Sequence, residues 1–141
     1  MGEILFNFSQ IIDLVESRRT IRDYLGAYQI VAGEIDRFEN RLEILCFAGE
    51  LALEAGLFSK AIELLDLLLL EGESEGETWF RGGAFAMRAF ALIELGQMDK
   101  AILSINELDD TLTMSWIANV PILTKKYLLE RAGEIGPEVR S

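Results

Sequence analysis

A short pattern of residues occurs twice in this sequence, forty positions apart. The segment EAGLFSKAI, from Glu54 to Ile62, corresponds to ELGQMDKAI, from Glu94 to Ile102. In each copy a glycine can end one helix, a large apolar residue two positions later can pack under the turn, and an alanine lets the next helix approach closely. The repeat therefore predicts two helical hairpins. Its defining residues are Gly56, Phe58 and Ala61 in the first copy, and Gly96, Met98 and Ala101 in the second.

The positions of proline extend the helical prediction to most of the chain. The 141 residues include two prolines, Pro121 and Pro137. Residues 1–120 therefore lack the strongest breaker of helices. A chain of this length, with 50% hydrophobic residues, is expected to bury one core. We therefore predict a single all-α domain.

The first forty residues contain the signals of at least one helix. Ser9 is a possible N-cap, and apolar residues then recur at helical spacing until Gly33, which can end the helix. This stretch is either one long helix or two helices with a break near residues 17–20. Asn40, followed by Glu43, has the pattern of a capping box for the next helix.

The remaining boundaries follow from loop and capping residues. The sequence GESEGE at residues 72–77 has no apolar periodicity, which predicts a loop, and Thr78 is expected to start the helix after it. Ser59 and Asp99 are predicted to cap the second helix of each hairpin. The expected segments are an N-terminal helical region (1–41), a first hairpin (42–71), the acidic loop (72–77), a second hairpin (78–110) and a C-terminal capping helix (121–132).

With these features the chain resembles the tetratricopeptide repeat (TPR), a helix-turn-helix unit of 34 residues. The matching residues are Leu45, Ala48, Gly49, Ala52, Gly56, Phe58, Ala61, Leu65 and Leu68 in one unit, and Phe85, Ala89, Leu92, Gly96, Met98, Ala101, Ile105 and Leu108 in the other. The resemblance implies a short right-handed superhelix of TPR-like hairpins with flanking N- and C-terminal helices. The alternative is a helical bundle whose two hairpins happen to look alike.

The sequence departs from the TPR pattern at several points. The period is forty residues, and the loop at 72–77 accounts for the six extra ones. Leu45 replaces the aromatic residue that begins the repeat, the proline that follows the second helix is missing from both units, and Arg88 occupies a position that is normally apolar. Two units bury less than the three that such arrays usually need, so the flanking helices are expected to complete the core.

The resemblance also implies a concave groove lined by the first helix of each hairpin. The residues at the groove positions are Cys46, Glu50 and Leu53 in the first unit, and Ala86, Phe90 and Ile93 in the second. An apolar groove with an acidic rim would suit a helical or extended apolar segment of a partner that has basic flanks. The alternative is that the groove is filled internally by a terminal helix.

The charge distribution narrows the choice of partner. Thirteen basic and 24 acidic residues give the chain a net charge of -11. Residues 42–120 carry four basic and fourteen acidic side chains, so this region alone has a net charge of -10. Such a field opposes binding to nucleic acids and to anionic membranes. The acidic groups either keep the helix faces solvated or steer a basic protein partner towards the chain.

The composition argues against catalysis. No histidine is present, which excludes His-dependent triads and the most common metal ligand, and we expect no metal, no cofactor and no enzymatic activity. Cys46 is the sole cysteine, so no intramolecular disulfide can form and a reducing compartment is the simpler expectation. Residues 1–10 lack the pattern of a signal peptide, and the apolar run at residues 64–70 is too short to cross a bilayer.

Together these observations predict a cytoplasmic, non-catalytic interaction module that acts as an adaptor or chaperone. Its size, acidity and expected fold resemble those of the TPR chaperones of type III secretion, although no motif is specific to that group. The alternative is a structural protein that buries the same apolar surface in a homodimer.

Overall fold

The structure, a computed structural model, describes residues 8–133. Its helices are α1 (Phe8–Thr20), α2 (Tyr24–Ala32), α3 (Arg41–Glu54), α4 (Phe58–Glu75), α5 (Arg81–Glu94), α6 (Met98–Ile105) and α7 (Lys125–Arg131), with a 3-10 turn at Ile35–Arg37. Within residues 8–133 the β-type pairing is limited to a single bridge between Met114 and Leu123. The predicted all-helical class is confirmed. Residues 1–7, which form most of the stretch tested for a signal peptide, and Pro137 lie outside the described residues.

The N-terminal region forms two helices that meet at a tight turn. The break falls after Thr20, slightly later than the expected position at residues 17–20, and Arg22 adopts a left-handed conformation there with φ 62°. Asp23 then caps α2, because its side chain accepts a hydrogen bond from the backbone N–H of Gly26. The left-handed residue and the cap both lie in the three residues over which the chain changes direction.

Both hairpin turns have the geometry that the repeated glycines predict. Gly56 and Gly96 have the same φ of 76°, a left-handed value that a residue with a side chain rarely adopts. The Asn40 cap of α3 is also confirmed, since its side chain accepts a hydrogen bond from the N–H of Glu43. The predicted caps Ser59 and Asp99 are wrong. The chain re-enters a helix directly after each turn, so that α4 and α6 begin at Phe58 and Met98.

The predicted loop at residues 72–77 is also wrong. Helix α4 continues through this sequence to Glu75 and ends at Gly76, whose φ is 72°. Gly72 is buried inside the helix and faces the ring of Phe80, which fills the space that a side chain would take. The first hairpin therefore spans 41–75 instead of 42–71, and α5 begins at Arg81 instead of Thr78.

Consecutive helices pack against each other along the chain. Contacts join α1 to α2, α2 to α3, α3 to α4, α4 to α5 and α5 to α6, while α5 also touches α3 and α7. Small residues permit these contacts: a methyl group at Gly49 on α3 would lie 2.9 Å from Cδ2 of Leu65 on α4. Ala61 and Ala101 are fully buried. This order is the one expected for stacked hairpins, and the right-handed superhelix stays a prediction.

Arg88, which departs from the TPR pattern, has a structural role between helices. Its guanidinium donates hydrogen bonds to Asp66 on α4 and to Ser104 on α6. The buried hydroxyl of Ser104 therefore has a partner. Arg88 thus replaces an apolar contact with a polar link that joins three helices.

The connecting segment, residues 106–124 between α6 and α7, is the longest irregular part of the described chain. Met114 and Leu123 exchange two backbone hydrogen bonds, of 3.0 and 2.9 Å, and so close a loop of the residues between them. This pairing holds residues 121–123 in extended form. The C-terminal helix therefore begins at Lys125, capped by Thr124, and the predicted start at residue 121 is wrong.

Between residues 8 and 133, no helix combines the length and the apolar character that crossing a bilayer requires.

The packing of Gly72 against Phe80 generates a prediction about stability. Replacing a glycine inside a helix by alanine usually stabilises a protein by about 0.5–1 kcal/mol. At Gly72 the new methyl group overlaps the buried Phe80 ring, and overpacking costs about 1–3 kcal/mol. We expect Gly72→Ala to lower the free energy of unfolding by about 1–2 kcal/mol in urea titrations.

Gly33→Ala is the matched control, because Gly33 is exposed, has an ordinary φ of -70° and has room for a methyl group. This variant is expected to be neutral or slightly stabilising. Equal stability of the two variants would show that Phe80 does not pack on Gly72.

Candidate functional site

The residues predicted to line a groove fall into two groups. Leu53, Ala86, Phe90 and Ile93 belong to the buried core, each 6% exposed or less, and the Phe90 ring contacts the ring of Phe58 edge to face at 6.2 Å. Cys46 and Glu50, by contrast, are only half-buried and line a surface cleft. In this structure a partner could reach the second group but not the first.

The chain's own connecting segment lies against the helices of the expected groove. Met114 and Ile117 are 2% and 6% exposed and belong to the same core as the four buried groove residues. A methyl group at Gly83 on α5 would lie 3.4 Å from Cε of Met114, and one at Gly82 would lie 3.3 Å from Cδ1 of Leu112. The sequence offered a terminal helix as the internal filling, whereas the part of the chain that lies against Gly82 and Gly83 is the connecting segment.

The part of α3 that remains accessible is bordered by two tryptophans. We call this surface the tryptophan cleft and define it by Glu43, Cys46, Phe47 and Glu50 on α3, together with Trp79 and Trp116. The cleft has a volume of about 180 Å³ and is lined by the α3 residues and Trp79. Trp116 belongs to the same surface because its side chain lies close enough to Glu50 to lower the pKa of that carboxyl.

Both tryptophans keep most of their surface in solvent. Trp79 is 60% exposed and Trp116 is 58% exposed. The ring of Trp79 is held by an edge-to-face contact with the buried Phe80, at 5.1 Å between ring centres. Aromatic side chains with a fixed orientation and a free face are typical of sites where proteins bind partners.

The electrostatics of the cleft are those of a half-buried acidic surface. Burial raises the pKa of Glu50 to about 7, and the charge of Glu54 raises it further, while the nearby Trp116 side chain and the charge of Arg19 lower it. Burial and the nearby Glu50 and Glu43 raise the pKa of the Cys46 thiol to about 12. Because the nucleophilic form of cysteine is the thiolate, Cys46 stays an unreactive thiol at neutral pH.

A buried ionic contact lies next to the cleft, one helical turn along α3. The side chain of Glu54 is 3% exposed, and its Oε2 accepts hydrogen bonds from Arg19 on α1, at 2.6 Å, and from the backbone N–H of Ala118, at 3.0 Å. The side-chain amide of Asn119 donates to the backbone carbonyl of Glu54, at 3.0 Å. Burial raises the pKa of Glu54, whereas the bond from Ala118 and the charge of Arg19 oppose that shift.

The arrangement can bind hydrogen-bond donors and cationic groups. Within residues 8–133 there is no cluster of three or more Cys, Asp or Glu side chains that could hold a metal ion. The carboxylates of Glu43 and Glu50 instead face a cleft with apolar walls, which suits a basic side chain attached to an apolar segment.

Comparison with known proteins adds no relatives to this description. No protein-family model matches the sequence, and neither the curated proteins nor the solved structures give a significant match.

Sequence reasoning identified Cys46 and Glu50 but missed the tryptophans and the buried contact. Trp79 and Trp116 both lie outside the helices, where periodicity gives no information about exposure. Arg19 and Glu54 are 35 residues apart, and Glu54 and Ala118 are 64 apart. The available signal was the presence of two large aromatic residues in the irregular parts of an otherwise helical chain.

The raised pKa of Glu50 predicts how stability depends on pH. A folded-state pKa of about 7, against an ordinary value of 4.5, means that burial of the neutral form contributes stability that is complete below pH 4.5 and is lost as pH rises to about 7. Glu50→Gln removes this titration and keeps an acceptor for the Trp116 indole. As the pH rises from 4.5 to about 7, we expect the free energy of unfolding of the wild type to fall by about 2 kcal/mol relative to that of the variant.

Urea titrations from pH 4 to 8 measure this difference, and Trp116 fluorescence in a Trp79→Phe background reports the titration directly. Glu75→Gln, at an exposed glutamate near the end of α4, is the control and should leave the pH profile unchanged. A profile of Glu50→Gln that runs parallel to the wild type would contradict the assignment.

Proposed function

We propose that this protein is a non-catalytic interaction module, an adaptor or chaperone built from TPR-like hairpins. Three features support the proposal: the repeated left-handed glycine turns at Gly56 and Gly96, the packing of each helix on the next, and the small residues at the helix contacts. The observation that carries the proposal is the tryptophan cleft, where two mostly exposed aromatic rings border an acidic strip of α3.

The chemistry of the cleft defines the kind of partner. Trp79, Phe47 and Trp116 offer apolar contact area, while Glu43 and Glu50 provide acceptors for basic side chains. The charge of -10 on residues 42–120 attracts a basic chain over longer distances and speeds its association. The proposed ligand is a segment of another protein with apolar residues flanked by Lys or Arg.

Two narrower expectations belong to the same proposal. The single cysteine, held as a thiol, suits a reducing compartment such as the cytoplasm. The size and acidity resemble those of type III secretion chaperones, so a client that is held soluble before export is one form that the partner can take.

A peptide-display selection on the purified full-length protein tests this function. We expect the selected peptides to combine apolar residues with Lys or Arg, and we expect Trp79→Ala and Trp116→Ala each to weaken their binding about tenfold or more in isothermal titration, because buried tryptophans dominate such interfaces. The measured quantity is the dissociation constant of each selected peptide.

Leu103→Ala is the matched control, since Leu103 is 68% exposed on α6, outside the tryptophan cleft. Circular dichroism checks that all three variants remain helical. The proposal fails if the selection enriches no such peptides, or if the two tryptophan variants bind them as tightly as the Leu103 variant does.

Self-association is a second candidate function, and the N-terminal helices carry the observation that favours it. Leu14, Ile21 and Leu25 are 43%, 67% and 49% exposed on or between α1 and α2, and such side chains can be covered in a homodimer. Sedimentation at low micromolar concentration distinguishes the two. A dimer that Ile21→Ser and Leu25→Ser disrupt supports self-association, whereas a sharp monomer excludes a tight homodimer.

A further inference from the structure

The connecting segment contacts the rest of the protein as a bound ligand would. Its backbone N–H at Ala118 and its Asn119 amide both donate to Glu54, one to the side chain and one to the last carbonyl of α3. That carbonyl has no acceptor role within its own helix, so Asn119 satisfies a group that the end of a helix leaves open. Glu54 is therefore the polar anchor of the segment.

The apolar half of the contact is made at positions where α5 lacks side chains. Gly82 and Gly83 leave room for Leu112 and Met114, and Ile117 and Leu123 are buried in the same core. Leu112 and Met114 therefore lie against the start of α5, the helix that carries the expected groove residues Ala86, Phe90 and Ile93.

The backbone-to-backbone hydrogen bonds of residues 109–123 stay within that stretch. Met114 pairs with Leu123, Val120 donates to Ile117, and Leu112 donates to Asp109. The segment can therefore separate from α3 and α5 without breaking a helix, and this local opening exposes less buried surface than global unfolding does. Its Trp116 and Ile122 are already 58% exposed.

The second carboxylate oxygen of Glu54 accepts no hydrogen bond from the connecting segment. Oε1 of Glu54 is buried, the side chain is almost completely removed from solvent, and no group among residues 8–133 donates a hydrogen bond to this oxygen. An unsatisfied buried carboxylate oxygen is unfavourable. A ligand that supplies one more donor, such as a lysine or arginine, would satisfy Glu54 better than the connecting segment does.

We propose that residues 111–123 are an internal ligand of the groove. A partner's extended apolar segment with a basic side chain displaces residues 111–123 from Glu54 and thereby reaches Leu53, Phe90 and Ile93. The inference rests on the proposed binding function and adds its regulation. The tryptophan cleft is the accessible entry site, and the buried groove becomes available only after the exchange.

Asn119→Gly in the full-length protein tests the exchange. Asn119 has a left-handed φ of 65°, which glycine adopts freely, so the variant removes the hydrogen bond to Glu54 without straining the backbone. We expect amide hydrogen exchange at residues 112–120 to rise about fivefold or more, as the loss of one hydrogen bond implies, while exchange within α4 stays unchanged.

The probe for the opened groove is a labelled synthetic peptide of residues 110–124, DTLTMSWIANVPILT, added in trans. It should bind Asn119→Gly about fivefold or more tightly than the wild type. Asn106→Gly is the matched control, because Asn106 is an exposed asparagine at the start of the same segment and away from Glu54; it should bind the peptide as the wild type does.

Native-state hydrogen exchange of the wild type keeps the test decisive if Asn119→Gly fails to fold. Exchange of residues 112–120 through a local opening supports the proposal, and exchange only through global unfolding, together with the amides of α3, overturns it. Unchanged peptide affinity in a folded Asn119→Gly also overturns it. Trp79 lies outside the connecting segment. Failure of the display selection, or of Trp79→Ala to weaken peptide binding, would therefore reject the proposed function separately, while local opening and peptide binding would still establish the internal ligand.

Discussion

The buried carboxylate of Glu54 joins three parts of the chain that are far apart in sequence. Arg19 brings α1 to the end of α3, and Ala118 and Asn119 bring the connecting segment to the same place. A buried ion pair of this kind contributes little net stability, because desolvation offsets most of the attraction. Removing one partner is far more costly than the pair is favourable, so the contact acts mainly by fixing which surfaces meet.

The rest of the architecture follows from small residues at helix contacts. Gly49 admits Leu65, Gly72 admits Phe80, and Gly82 and Gly83 admit the connecting segment. In each case a glycine on a helix faces a large apolar side chain of the segment that packs against it. Close packing of this type accounts for the burial of a large apolar fraction in a chain of 141 residues, and it leaves α3 with one accessible acidic strip between Trp79 and Trp116.

The helical class, the two turns and the cap at Asn40 could be predicted because each depends on neighbouring residues. A glycine at φ 76° or a capping asparagine acts within one turn of helix, where sequence and structure coincide. Two of the predictions that failed depended on contacts made beyond one turn of helix. Residues 72–75 look like a loop by composition, yet they are helical and Phe80 covers Gly72; residues 121–123 look like a helix start, yet Met114 holds Leu123 in an extended bridge.

The candidate site divides in the same way. The resemblance to the TPR placed Cys46, Glu50, Leu53, Ala86, Phe90 and Ile93 at the expected groove positions of the first helix of each hairpin. Only the tertiary structure decided which of them a partner can reach, because exposure depends on what the irregular segment between α6 and α7 covers. That segment has no periodicity, and its position is set by hydrogen bonds to Glu54 across 64 and 65 residues of sequence. The sequence thus determined the helices and their apolar faces, and long-range contacts decided the surface that remains available for binding.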